Sequence, residues 1–434
     1  MIGASETFVG FLCMLAMMFL GLHVATAVFA TAALGAVVYL GLPTLWSFGG
    51  VAWGAHNDFL LAAIPLYVLL GEILVRSGLT ERMYAALSSW LTRLPGGLLH
   101  TNVVSSGMFA AVSGSSVATA ATIGTVALPS LEKRGYGERL ALGSIAAGAT
   151  LGILIPPSIN LIIYGAITNT SIGKLFMAGL VPGLLLCGLF MVIIAILTYL
   201  YPSVAGTPAP TPPLRERIAA LGELLPPLII FLLVMGSIYF GWATPTEAAA
   251  IGVVAALAVA AAYGRLSFKV LHEAFVSTLR TASMILFIIM AAFYLNRVIG
   301  ILGIPQTMTQ FVGDIGATPL ATIFALMLFY LILGCFLETL SMLIATAPVV
   351  VPIIVHLGFD KVWFGIFLVL MMEMALFTPP MGMNLYVVQG VRRTSGSISD
   401  VIIGTLPFLI AMLFFVVFII FVPEVALFLP GQLF

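Results

Sequence analysis

Residues 101–131 read TNVVSSGMFAAVSGSSVATAATIGTVALPSL, a stretch between His100 and Glu132 without one charged side chain. A helix needs about 20 apolar residues to cross a bilayer, so this stretch is too long for one crossing and too short for two. Its middle carries Ser113-Gly114-Ser115-Ser116, residue types that favour caps and turns over helix interiors. Two half-length helices that meet at this break, entering and leaving by the same face, satisfy both facts. Hairpin 1 is therefore placed at about 98–132. Residues 320–356 have the same character and break at Glu338-Thr339-Leu340-Ser341, which places hairpin 2.

The rest of the chain sets the solvent. Of 434 residues 62% are hydrophobic and only 7% charged, and the mean hydropathy is +1.22. So few charges cannot clothe a compact body in water, which excludes a soluble enzyme. Sixteen basic and sixteen acidic residues cancel, leaving no basic footprint for nucleic acid. Continuous apolar runs, with no strand alternation, call for an all-α polytopic membrane protein. Further spans are expected near 6–22, 25–41, 59–77, 137–156, 175–200, 218–240, 244–263, 281–300, 360–378 and 399–422. Met1–Leu22 has no basic start or A-x-A site and reads as a retained span. Cys13, Cys187 and Cys335 read as small buried hydrophobes. With the ends of hairpin 1 on the cytoplasmic side, only Lys174, Arg297 and Lys361 fall outside, as the positive-inside rule asks. The same alternation sends hairpin 2 in from the opposite face and puts both termini outside.

A repeat runs through this plan. Pro129, Gly135 and Tyr136 recur 223 residues later as Pro352, Gly358 and Phe359, and Pro156-Pro157 as Pro379-Pro380. Interrupted helices in corresponding halves are the sequence sign of secondary transporters with inverted repeats. The expected organisation is N-terminal scaffold helices over 1–58, a first repeat over 59–200 and a Pro-rich linker over 201–217. Scaffold helices with an amphipathic arm follow over 218–280, then a second repeat over 281–398 and a C-terminal span over 399–434. The polar breaks are the candidate chemistry. Proline pairs leave backbone carbonyls without partners, and these, with Ser and Thr hydroxyls, suit a hard cation such as Na⁺. Helix N-termini after a break suit a carboxylate.

Several quoted stretches resemble the large membrane subunit of tripartite ATP-independent periplasmic (TRAP) transporters. They are FAAVSGSSVATAATIGTVALPSLEKRGY (109–136), GILIPPSIN (152–160), LFMAGLVPGLLL (175–186), FLETLSMLIATAPVVVPIIVHLGFDKVWFGI (336–366) and FTPPMGMNLYVV (377–388). The resemblance covers about Phe59 to the C-terminus. It implies a Na⁺-driven, elevator-type importer of an organic acid in a bacterial inner membrane, with no cofactor beyond the coupling ion. It further implies a small membrane subunit of about four helices and a periplasmic binding protein that delivers substrate. By the same resemblance Ser113, Gly114, Ser115, Gly152, Pro156 and Ser158 frame one Na⁺ site. Glu338, Thr339, Ser341, Thr378, Pro379 and Gly382 frame the second. The substrate carboxylate would lie between the tips near Ser115, Ser116, Thr119, Asn160 and Asn384. Many relatives carry Asp at the positions of Thr119 and Glu338.

Other charges have plainer readings. Glu72 and Arg76, four apart, read as a structural pair. Glu373, mid-span, is left to pair with Arg297 or Lys133. Thr80–Leu94 is amphipathic and expected to lie flat on the inner leaflet, and His56-Asn57-Asp58 forms a polar loop. An intramembrane enzyme would need a G-x-S-G serine, two mid-membrane aspartates or H-E-x-x-H. The sequence has neither motif, and its four aspartates fall near membrane ends. A stand-alone Na⁺/carboxylate symporter of the same architecture is the second transport reading. An ATP-driven permease would need an ATPase that this chain lacks.

Overall fold

The computed structural model describes residues 3–207 and 212–433. In chain order the helices are α1 (Ala4–Phe19), α2 (Val24–Leu40), α3 (Pro43–His56), α4 (Ala63–Arg76), α5 (Leu79–Leu91), α6 (Leu98–Ser113) and α7 (Ser116–Lys133). Next come α8 (Glu138–Leu154), α9 (Ile159–Thr168), α10 (Ile172–Leu200), α11 (Leu214–Ala220), α12 (Leu225–Tyr239), α13 (Pro245–Ala262) and α14 (Phe268–Leu302). The last third holds α15 (Ile304–Asp314), α16 (Pro319–Gly334), α17 (Thr339–His356), α18 (Lys361–Phe377), α19 (Met383–Val391), α20 (Ile398–Phe421) and α21 (Glu424–Leu433). Among the described residues seven helices are long and apolar enough to cross a membrane, or up to nine if each sharply bent pair is one span.

The centre of the fold is α8 and α18. Leu140–Leu154 and Val362–Phe377 are buried at every position; in α8 the small residues Gly143 and Gly148 let the backbones of neighbouring helices close in. The long helices α10 and α20 pack against them and turn apolar faces outward. The helix ends follow the sequence repeat. Ser116 and Lys133 of α7 lie 223 residues before Thr339 and His356 of α17, and Glu138 and Leu154 stand in the same relation to Lys361 and Phe377. The Pro156–Pro157 and Pro379–Pro380 peptide bonds are both cis.

Four expectations change. The second break comes earlier than Glu338-Thr339-Leu340-Ser341: α16 ends at Gly334, turns carry Cys335–Leu337, Glu338 is the N-cap, and Thr339–Ser341 already form the first turn of α17. The breaking residues are apolar, so nothing in their chemistry marks the spot. The arm and the span expected near 281–300 are one continuous helix of 35 residues, α14. Helix α5 bends 68° away from α4, but its apolar face, with Met83, Tyr84 and Leu87, is covered by protein. The Tyr84 hydroxyl donates to Asn102 Oδ1 at 2.8 Å, and Arg217 lies 4.2 Å from the Trp90 ring centre. Glu373 pairs with neither Arg297 nor Lys133: it is fully buried, and neither carboxyl oxygen has a hydrogen-bond partner among the described residues.

The short helices α3, α9, α11, α15, α19 and α21 have no counterpart among the expected spans, and His56 closes α3 instead of lying in the loop. The linker expected at 201–217 includes residues 208–211, which lie outside the described residues. Its first part is strapped to the base of hairpin 1: Gly137 N–H donates to Val204 O at 3.0 Å and Thr207 N–H to Arg134 O at 2.9 Å. The expected pair of Glu72 and Arg76 is present, and Glu273 stands 3.9 Å from the Arg76 Nε.

Candidate binding site

The tip of hairpin 1 is built by three residues. Gly114 ends α6 in the left-handed conformation at φ +62°, which L side chains rarely adopt. Ser115 then caps α7, its hydroxyl accepting from the Ala118 amide at 3.4 Å. Thr119 turns back into the tip, donating to the Ser115 carbonyl at 2.7 Å and sharing a 3.2 Å hydrogen bond with Ser113. The tip rests on the proline-pair loop between α8 and α9. A Cβ on Gly114 would meet the Pro157 carbonyl oxygen at 2.8 Å, and one on Gly152 would meet the Ser116 amide nitrogen at 2.8 Å. Two backbones approach this closely only where both positions are glycine.

A cavity of about 420 Å³ opens beside the tip. Ser113–Ser116 line it from the first hairpin, Asn160 from the start of α9, and Glu338 with Thr339 from the second break. These seven expected site residues are brought together. The other nine stand behind this wall. Asn384 is fully buried and donates to the Ala146 carbonyl of α8 at 3.3 Å. Ser158 caps α9 and hydrogen-bonds the Ile153 carbonyl, and Thr119 is spent on the tip itself. Gly152 and Pro156 are buried under it. Ser341 donates to Glu338 Oε1 at 3.1 Å, while Thr378 back-bonds to Met374 O, and Pro379 and Gly382 follow it in the α18–α19 loop.

The sequence reading did not place Glu72 or Thr281 in this wall, yet both line the cavity from α4 and α14. Thr281, a hydroxyl in an apolar run, was the available signal. The lining holds two carboxylates, Glu72 and Glu338, several hydroxyls and no Lys or Arg among the described residues. Asn160 keeps its Nδ2 without a hydrogen-bond partner among the described residues. An unpartnered amide donor, an α7 N-terminus and clustered hydroxyls can meet an anion, and the carboxylates can meet cations.

Two helix breaks facing one polar cavity inside an otherwise apolar bundle define a membrane transport protein. Residues 11–425 match the family model described as "Tripartite ATP-independent periplasmic transporter, DctM component", and the chain belongs to that family. It is therefore a transporter permease and not an enzyme. The chain is 35% identical over 379 residues to the C4-dicarboxylate TRAP transporter large permease protein DctM of Pseudomonas aeruginosa, covering 87% of each chain. It is 32% identical over 379 residues to the sialic acid TRAP transporter large permease protein SiaM of Vibrio cholerae, covering 87% of each. The crystal structure of the Alcanivorax borkumensis YdaH transporter superposes with a TM-score of 0.64 at 15% identity, covering 88% of this chain and 90% of that one. That likeness is one of fold.

Proposed function

We propose that this chain is the permease of a Na⁺-coupled system that imports an organic acid across a bacterial inner membrane. Its substrate is handed over by a periplasmic binding protein, and a small membrane subunit completes the assembly. The observation that carries the reading is the cavity between Ser113–Ser116 and Glu338–Thr339. An anion entering a space lined by Glu338 and by a Glu72 already paired with Arg76, with no basic side chain in the lining among the described residues, needs added positive charge, and co-bound Na⁺ supplies it. The relatives named for C4-dicarboxylates and for sialic acid share a carboxylate substrate, so a carboxylate is the chemistry assigned here. The inverted-repeat reading makes the two hairpins and the helices packed on them one moving body. That body would carry the cavity from one face to the other as an elevator.

The test is uptake into proteoliposomes containing this chain and the small subunit, with labelled organic acids offered with and without the binding protein. Under an inward Na⁺ gradient, uptake is expected to require both Na⁺ and the binding protein. Ser115→Ala and Thr339→Ala are expected to weaken the Na⁺ dependence. Correctly inserted variants that take up substrate with unchanged Na⁺ dependence would overturn the site. Uptake indifferent to the binding protein would instead favour a stand-alone symporter.

A further inference from the structure

The two carboxylates of the cavity wall are met differently. Glu338 accepts from the Ser341 hydroxyl of its own helix, whereas Glu72 is held by an arginine. Arg76, one turn further along α4, pairs with the Glu72 carboxylate and donates from the same Nη1 to the Glu72 carbonyl at 3.1 Å. Its Nε faces Glu273 of α14 at 3.9 Å, and Lys269 stands 4.0 Å from the other Glu273 oxygen. Two carboxylates and two cations thus cancel across α4 and α14. The Glu72 and Arg76 side chains are 23% and 25% exposed, against 48% for Glu273 and 84% for Lys269, so the pair beside the cavity is the less screened one. It also stands where two elements meet. A Cβ on Gly71 would come within 3.2 Å of the Ser113 backbone, so α4 touches the tip of hairpin 1 one residue before Glu72.

We infer that Arg76 is a positioning residue that keeps Glu72 neutralised, so that the wall formed by α4 does not repel an anion held at the hairpin tips. The inference rests on the carboxylate-substrate reading above and gives its two carboxylates different parts. Glu338 is left to receive a cation, and Glu72 is withheld from that role. A bare carboxylate in a narrow cleft depletes anions from it, an effect of about tenfold or more. Arginine suits the task because it stays charged and offers donors on two edges, here Nη1 to Glu72 and Nε towards Glu273. With Glu72 as its one partner the guanidinium could swing into the cavity and trap the anion. Glu273, outside the cavity lining, draws it back.

The experiment measures initial uptake of labelled organic acid, per inserted permease, in proteoliposomes that also hold the small subunit, at one concentration of loaded binding protein. Arg76→Gln is expected to lower uptake about tenfold, and Arg76→Lys, which keeps the charge, less than about threefold. Adding Glu72→Gln to Arg76→Gln is expected to restore uptake at least about fivefold, the sign of two groups acting as a pair. An arginine with a merely structural role would not be rescued by removing its partner's charge. Uptake in Arg76→Gln within about twofold of the unmutated level, or no recovery in the double variant, overturns the inference. If Arg76→Gln cannot be recovered folded, Thr281→Glu and Thr281→Gln take its place. They share a shape on the cavity wall, and only the first adds an uncancelled carboxylate. Uptake about tenfold lower in Thr281→Glu than in Thr281→Gln is expected, and equal uptake overturns the inference. Unmutated protein that takes up no organic acid would instead remove the carboxylate-substrate reading itself.

Discussion

Arg392 Nε lies 2.8 Å from Glu138 Oε1, joining residues 254 apart, the C-cap of α19 and the first turn of α8. The same guanidinium reaches Asp400 at 3.2 Å, and Asp400 in turn accepts from Arg139 at 2.9 Å. Two residues from each half thus share one charged network at the ends of α8, α19 and α20. The Arg392 side chain is 3% exposed, whereas Arg139 is 62% exposed, and that difference decides which one matters.

Arg392→Ala is expected to leave two carboxylates facing each other and to cost about 2 kcal/mol. Arg139→Ala should cost less than about 1 kcal/mol, being a solvated pair. Thermal unfolding of the detergent-purified protein, followed by tryptophan fluorescence, checks both. Equal losses would show that burial does not set the strength of this network.

Gly114→Val puts a branched side chain at φ +62° and drives it toward the Pro157 carbonyl. Strain of roughly 1–3 kcal/mol is expected at the tip from the backbone conformation alone. Uptake should fall at least about tenfold, the rate equivalent of some 1.4 kcal/mol. Uptake normalised to inserted protein is the measurement, and activity close to the unmutated level would mean that the tip and the proline-pair loop separate easily.

Thr119→Ala tests which way that hydroxyl faces. It is buried and committed to Ser113 and Ser115, so its loss should cost about 1 kcal/mol of stability. The substrate concentration for half-maximal uptake should stay within about twofold, a change of less than roughly 0.5 kcal/mol in binding. A tenfold rise would place Thr119 against the substrate.

Glu373 is a buried carboxyl without a hydrogen-bond partner among the described residues. Methionine has similar length and no polar group to desolvate, so Glu373→Met is expected to raise the unfolding midpoint by the equivalent of about 1–3 kcal/mol. Lysine in its place should prevent recovery of folded protein. A lowered midpoint in Glu373→Met would reveal a hydrogen-bonding role for the carboxyl.

Hairpin 1 was legible because its break is written in Ser and Gly, residues whose chemistry differs from the surrounding run. The break of hairpin 2 is written in Cys335, Phe336 and Leu337, and was therefore placed three residues late. The proline pairs announced their loops, but not that Asn384 would turn away to Ala146. Orientation on a short helix depends on what packs behind it. Glu72 and Thr281 were missed for the same reason. They reach the cavity from α4 and α14, elements remote in sequence, and beyond the Thr281 hydroxyl itself no local pattern marks a side chain that meets the tip only after folding.

Helices α8 and α18 touch their neighbours at every position from Leu140 to Leu154 and from Val362 to Phe377. A hydrophobic stretch whose length disagrees with the bilayer costs energy through the lipid it contacts. These two contact none, so membrane thickness acts on them only through α10, α20 and the other helices packed against them. A thicker or thinner bilayer would tilt and strain that outer ring first. The central pair, with the break residues at its ends, is mechanically insulated from the lipid.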